Sequence, residues 1–129
     1  MSAREVVGRY LAAMERGDRD AAVACYADDV VMHVPGRSAF AGERRGREAV
    51  LEYLRAAVAL ADQGVEVELV DVLEGGGDRV ALLLRERLRS SRGELVLRRA
   101  NVYTVRDGRI ADVRIFEHDQ YAVDAFLER

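Results

Sequence analysis

Residues 102–119 read VYTVRDGRIADVRIFEHD. Alternating apolar positions run up to Asp107-Gly108 and resume immediately after it. A two-residue Asp-Gly step between alternating runs is the strongest short-range signal for a β-hairpin, because both residues tolerate the positive φ that the tight turn needs. Working outward, 94–106 and 109–117 become paired strands. Upstream, 79–90 and 65–73 alternate in the same way, with Gly75-Gly76-Gly77-Asp78 turning the chain between them. The N-terminal half changes period. Ala3, Val6, Val7, Tyr10, Leu11 and Met14 fall on one stripe at helical spacing, and Gly17 stops that helix. Asp18 reads as the N-cap of a short second helix reaching about Tyr26. Val30–Val34 reads as a strand closed by Pro35-Gly36, 37–46 as a loop, and 47–62 as a third helix burying Val50, Tyr53, Leu54, Ala57, Val58 and Ala61. Residues 120–127 suit a short terminal helix. The order, two helices, a strand, a helix and then four antiparallel strands, is that of an α+β fold.

The chain has 129 residues and net charge −3, so it is read as one domain over 1–129 with no global attraction for nucleic acid or anionic lipid. Half of it is hydrophobic and a third charged, a composition that excludes disorder. No apolar run approaches a membrane span, and the start lacks the apolar stretch of a signal peptide. The single cysteine, Cys25, points to a reducing, cytoplasmic setting. All 20 basic residues are Arg, which removes lysine Schiff-base chemistry from consideration.

A register argument places polar groups on an apolar face. With a turn at Arg92-Gly93, Leu88 opposes Leu97, Glu86 opposes Arg99, Leu84 opposes Asn101, Leu82 opposes Tyr103 and Val80 opposes Val105. Glu86, Arg99 and Asn101 then sit mid-face among apolar neighbours, either as a self-satisfied ion pair or as ligand contacts. Such a sheet would curl around the helices and enclose a pocket. Glu117 shares parity with Ala111, Val113 and Ile115, so it faces the helices if they do. Asp119, directly before the last helix, reads as an N-cap. His33 and His118 are the only histidines, and no metal-ligand spacing is present.

VVGRYLAAMERGDRDAAVACYADDVVMHVPG (6–36) resembles the opening of bacterial ketosteroid isomerase and, more widely, the nuclear-transport-factor-two-like superfamily with its SnoaL-like polyketide cyclases. The closing hairpin resembles the last hairpin of the same superfamily. The resemblance implies a cone-shaped, curved, mostly antiparallel sheet wrapped on three N-terminal helices, a cystatin-like α+β roll with an internal pocket, and a homodimer. It places Tyr10 where the isomerase keeps its oxyanion-hole tyrosine and Asn101 where it keeps a protonated aspartic acid. Asp119 falls near the acid/base of the cyclases. Val34 stands where the isomerase has its catalytic base, and valine cannot accept a proton. Glu117, in place of a pocket aromatic, or His33 could replace that base. The expected ligand is small and largely apolar, contacted by Met32, Val34, Tyr53, Leu84, Glu86, Arg99, Tyr103, Val113 and Ile115, with no cofactor and no metal.

The resulting expectation is a cofactor-independent isomerase or cyclase acting by acid/base chemistry on an apolar carbonyl compound, with Tyr10, Asn101, Asp119, Glu117 and His33 as its catalytic candidates. The competing expectations are a non-catalytic ligand-binding or dimerisation module and an epoxide hydrolase-like enzyme, since the Glu86/Arg99 pairing and the stretch Arg85-Glu86-Arg87-Leu88-Arg89 resemble in part the Arg-plus-carboxylate set and the Glu-Arg-x-Asp strand of epoxide hydrolases of this fold. Arg89 occupies the position of an acid which that last reading needs.

Overall fold

Helix α1 (Ala3–Glu15) starts with a reciprocal capping box, in which Ser2 Oγ accepts from the Glu5 amide at 3.1 Å and the Glu5 carboxylate reaches back to Ser2. Its buried stripe is Ala3, Val6, Val7, Tyr10 and Ala13, as the helical spacing requires. Asp18 caps α2 (Arg19–Ala24) through the Ala21 amide at 3.1 Å. The computed structural model describes residues 1–128. After α2 come β1 (Tyr26–Val34), β2 (Gly42–Arg45), α3 (Arg47–Leu60), β3 (Gly64–Glu74), β4 (Arg79–Ser90), β5 (Gly93–Arg106), β6 (Arg109–Glu117) and α4 (Gln120–Leu127).

The sheet corrects the expected cone. Its six strands lie in the order β2-β1-β6-β5-β4-β3, so β2 and β3 are two free edges and the sheet is open rather than closed or wrapped on itself. It is also mixed, because β1 runs parallel to β6 while every other pair is antiparallel. The strand β2, GERR, lies inside the expected loop. It carries no apolar alternation and is recruited by pairing with β1, Met32 opposite Arg44 and Val34 opposite Gly42. Helix α1 packs over β4, β5 and β6, α3 over β1 and β2, and α4 against β5. All the helices with such contacts lie on one face, where Val6, Val7, Tyr26, Val30, Leu82, Ile110 and Val113 form the main core.

The β4–β5 register also departs from expectation by one pleat. The turn is Ser91-Arg92, with Ser90 paired to Gly93, so Glu86 opposes Leu97, Leu84 opposes Arg99 and Leu82 opposes Asn101. The reason is local: Ser90, buried, accepts the Arg92 amide at 3.0 Å with its hydroxyl, and Gly93 (φ +120°) leaves the turn in a conformation that other residues rarely adopt. Because the shift is by a whole pleat, the even positions of β4 and odd positions of β5 still share the helix-side face.

Helix α4 is fixed by a buried carboxylate. Asp124 accepts from the Arg37 amide at 3.3 Å and from Gln120 Nε2 at 3.1 Å, tying the helix to the segment after β1. Gly36 (φ +97°) permits that approach, since a Cβ there would collide with Asp124 Oδ1 and Gln120 Nε2. Gly36→Ala should therefore cost about 1–3 kcal/mol of stability by urea unfolding. Gly8→Ala, within α1 and with open space around it, should instead raise stability by up to about 1 kcal/mol.

Candidate active site

The helix-side face of the sheet holds one ion cluster within an apolar wall. Arg99 on β5 lies directly opposite Glu117 on β6, and its Nε and Nη2 donate to the two carboxylate oxygens at 2.8 and 2.6 Å. This fork-on-fork geometry is the strong form of the pair. On the other side Arg99 Nη1 stands 3.4 Å from Glu86 Oε2. Glu86 is one pleat away from direct opposition, so it meets the guanidinium diagonally. The side chains of Glu117, Glu86 and Arg99 are 3, 14 and 16% exposed. Two carboxylates thus share one cation in a poorly hydrated place.

The electrostatics follow from that count. Burial pushes the Glu86 carboxyl above its ordinary range and the nearby Glu117 charge adds to the rise, while Arg99 opposes it. Burial alone would lower the Arg99 pKa, but Glu86 and Glu117 outweigh it and keep the guanidinium charged. Glu117 is committed to Arg99 through both oxygens. Glu86 has the looser contact.

The three residues border a narrow cleft with a cavity volume of about 80 Å³, partly open to solvent. Val34 and Pro35 from the end of β1, Tyr53 from α3 and Ile115 from β6 face it alongside them. Tyr53 makes a T-shaped contact with Phe40, and the Arg44 guanidinium lies 5.7 Å from its ring centroid. Burial raises the Tyr53 pKa, so the phenol keeps its proton at neutral pH. The far end is closed by a second apolar cluster, in which Val123 and Phe126 of α4 pack on Leu95 and Leu97.

The other candidates lie elsewhere. Tyr10 is 5% exposed and packs edge-on to Tyr26 at 5.2 Å and tilted to Tyr103 at 6.0 Å. Burial raises the pKa of Tyr10 and of Tyr103. Asn101 Nδ2 donates to Tyr103 Oη at 3.5 Å, and its buried Oδ1 has no partner. Met32, Leu84 and Val113 are likewise buried in the main core, and none of these six borders the cleft beside Glu86. His33 points to the opposite face, with Nε2 2.8 Å from Asp112 Oδ1 and Nδ1 3.6 Å from Glu43. Asp119 is exposed and caps α4 by accepting the Ala122 amide at 3.1 Å. Among the described residues, no three His, Cys, Asp or Glu side chains converge as a metal-binding group.

Sequence reasoning missed Phe40, in a segment without periodicity, and the part played by α4. The Val123/Leu127 spacing of i, i+4 signalled an apolar helix face, but nothing local says what that face covers.

Comparison with known proteins places this architecture. The SnoaL-like domain family matches residues 7–113, and the chain belongs to that family, within the nuclear-transport-factor-two-like superfamily. It is 39% identical, over 95% of its length and 93% of the relative's, to an uncharacterized protein of Mycobacterium tuberculosis. Among solved structures it is similar to Bal32a from a soil-derived mobile gene cassette, with TM-score 0.90 and 28% identity over 97% of this chain and 95% of that one. The fold is shared with TerC co-crystallized with polyporic acid (TM-score 0.82, 21% identity, 98% of both chains). It is also shared with Rv0760c of M. tuberculosis in complex with estradiol-17β-hemisuccinate (TM-score 0.76, 22% identity, 90% of this chain and 94% of that one).

The cluster predicts unequal costs for its two acids. Glu117→Gln strips the fork from a buried guanidinium and should destabilise the fold by about 3 kcal/mol in urea unfolding at pH 7. Glu86→Gln removes the surplus charge and should change stability by less than about 1 kcal/mol. The pH dependence has a definite sign. The folded state holds the Glu86 proton more tightly than the unfolded chain does. Its contribution therefore makes stability fall as pH rises from the ordinary value of 4.5 through the raised folded value. Urea midpoints measured across that window should fall less steeply with pH in Glu86→Gln than in the native protein.

Proposed function

We propose that this protein is a cofactor-independent acid/base enzyme acting on a small, largely apolar carbonyl compound, of the isomerase or polyketide-cyclase kind, with Glu86 as the proton carrier. The observation that carries the reading is a loosely held carboxylate facing an apolar cleft, where a second carboxylate has already claimed the one buried cation. Burial raises the basicity of Glu86 towards the range in which a carboxylate takes a proton from carbon and gives it back.

The chemistry assigns a task to each group. A ligand carbonyl oxygen lies against the Tyr53 phenol, which remains protonated and donates. Glu86 takes the proton α to that carbonyl, and the developing enolate charge rests on the oxygen held by Tyr53. Return of the proton at another carbon is an isomerisation, and attack of the enolate carbon on a second carbonyl is a cyclisation. Arg99 and Glu117 are positioning residues that fix the Glu86 side chain. Val34 and Ile115 supply apolar wall and keep bulk water from the enolate. The complexes of TerC with polyporic acid and of Rv0760c with a steroid ester support a cleft that accepts small organic molecules.

A second reading rests on the carboxylate–arginine–carboxylate arrangement itself. Glu86 takes a proton from water, and the resulting hydroxide opens an epoxide whose oxygen is protonated by Tyr53. Styrene oxide converted to its diol by the native protein, and not by Glu86→Gln, would favour this reading over the first.

The deciding experiment is α-proton exchange of propiophenone in D2O, followed by NMR. The native protein should accelerate exchange, Glu86→Gln should lose at least about a hundredfold, and Tyr53→Phe about tenfold. Equal rates with native protein and Glu86→Gln would defeat the acid/base reading. Binding of the ketone without exchange would leave a ligand-binding module.

The helix-free face of the sheet also calls for a cover. Val96 and Phe116 are exposed there by 43 and 55%, beside Leu83 and Ala100. We propose that a second copy of the chain packs against it, giving a homodimer. Light scattering on the eluting protein should give the mass of a dimer at micromolar concentration, and Phe116→Asp should shift it to the monomer.

A further inference from the structure

The strand β3 has an apolar side that the helices leave bare. Its positions alternate between the two faces. Glu66 and Glu68 point to the helix-free side, where they meet Arg89 at 3.1 Å and Arg85 at 4.0 Å. Val65, Val67 and Leu69 point to the helix side, because they lie directly opposite Leu88, Glu86 and Leu84 of β4. An apolar row on that side ordinarily lies under a helix. Here α1 covers β4, β5 and β6, and α3 covers β1 and β2. Val65, Val67 and Leu69 are left 45, 58 and 46% exposed. The row ends at one side in the bulge after Leu69, beyond which Val72 packs into the main core, and at the other in Gly64.

The bare row is continuous with the cleft. Glu86 and Leu88 both line the cleft, and each has a member of the row as its direct cross-strand neighbour, Val67 and Val65. Neighbouring strands are about 4.8 Å apart, so a molecule seated beside Glu86 reaches the row by crossing a single strand spacing. No polar side chain intervenes on that face between Glu86 and Val67, since the two are paired.

We propose that Val65, Val67 and Leu69 form an apolar shelf that carries the tail of a substrate longer than the cleft, so that the substrates are elongated compounds with a carbonyl head beside Glu86 and an alkyl or polyketide-like tail lying across β3. This rests on the proposed use of the cleft, and it adds the size and shape of the molecule. It also assigns specificity to a strand that touches none of the reacting atoms. Glu86 then stands at the junction, with the reactive carbonyl on its cleft side and the tail on its β3 side.

The test is a series of n-alkyl phenyl ketones, propiophenone through octanophenone, titrated by calorimetry into the native protein and into Val67→Ser/Leu69→Ser. The native affinity should rise about two- to fourfold with each added methylene through the end of the series. In the double variant propiophenone should bind as before, and the rise should stop within the first two or three homologues. Val67→Thr, which keeps the shape and β-propensity of valine, should give an intermediate slope and guards against a folding defect in the double variant. A native affinity that levels off at butyrophenone would overturn the shelf, and so would equal weakening of every ketone by the double variant. Conversion of a dimeric native protein to a monomer by the double variant would also overturn it, because a second copy would then be the occupant. If propiophenone itself fails to bind the native protein, the cleft reading falls first and the shelf with it.

Discussion

A guanidinium buried between two carboxylates is the constraint around which the helix-side face is built. Arg99 cannot be left alone there, because an uncompensated buried charge costs several kcal/mol. The β5–β6 register satisfies it by setting Glu117 directly opposite with both oxygens engaged. That register is set by the Asp107-Gly108 turn, where Asp107 takes a positive φ of 53° and Gly108 one of 76°, together with a one-residue irregularity between Thr104 and Val105 that brings Arg99 opposite Glu117 rather than Phe116. A slip of one residue in this hairpin would carry Glu117 to the opposite face and strand Arg99 among leucines. The ion pair therefore contributes specificity of register beyond whatever it adds to stability.

The second carboxylate has no such structural task. Glu86 meets Arg99 at 3.4 Å on a diagonal, and the cation is already bonded to Glu117 by a closer and better aligned pair. A side chain buried at the expense of its own ionisation, and not needed to neutralise its neighbour, is the feature on which the proposed use of the cleft rests. The surrounding wall sharpens this. Ile115, Val34 and the α4 cluster keep the local dielectric low, which magnifies both the cost of charging Glu86 and the effect of any charge that develops on a ligand beside it. Tyr53 is the one phenol that borders this space, since Tyr10 and Tyr103 are packed into the core behind it.

What could be read beforehand separates by physical range. Helix stripes, the Asp18 cap and the Asp-Gly hairpin are local, and the elements they imply are present with ends displaced by only a few residues, except that β1 begins at Tyr26. The face shared by Glu86, Arg99 and Glu117 was legible because period-two alternation survives a whole-pleat error in register. The open sheet was not legible. Whether a sheet closes depends on long-range pairing, here the parallel β1–β6 contact and the recruitment of GERR as an edge strand, and neither leaves a mark in local pattern. Tyr10 and Asn101 could be placed on the inner side of their elements. That position does not distinguish a residue bordering a cavity from one packed beneath it: Tyr10 is packed in the core, and the half-buried Asn101 is turned to Tyr103.

The placement of the acids follows from the same geometry. Val34, at the end of β1, borders the cleft and cannot accept a proton. The carboxylates that border this cleft come from β6, the strand beside β1, and from β4, two strands further on. Glu86 lies mid-strand and Glu117 ends β6, but both side chains are poorly hydrated and need a partner, and Arg99 on the intervening strand supplies one to both acids at once. Glu117 takes the Nε/Nη2 edge of the guanidinium, and Glu86 is left with a 3.4 Å contact to Nη1. The surplus acid of this cleft is thus a direct consequence of placing its carboxylates on either side of a single cation.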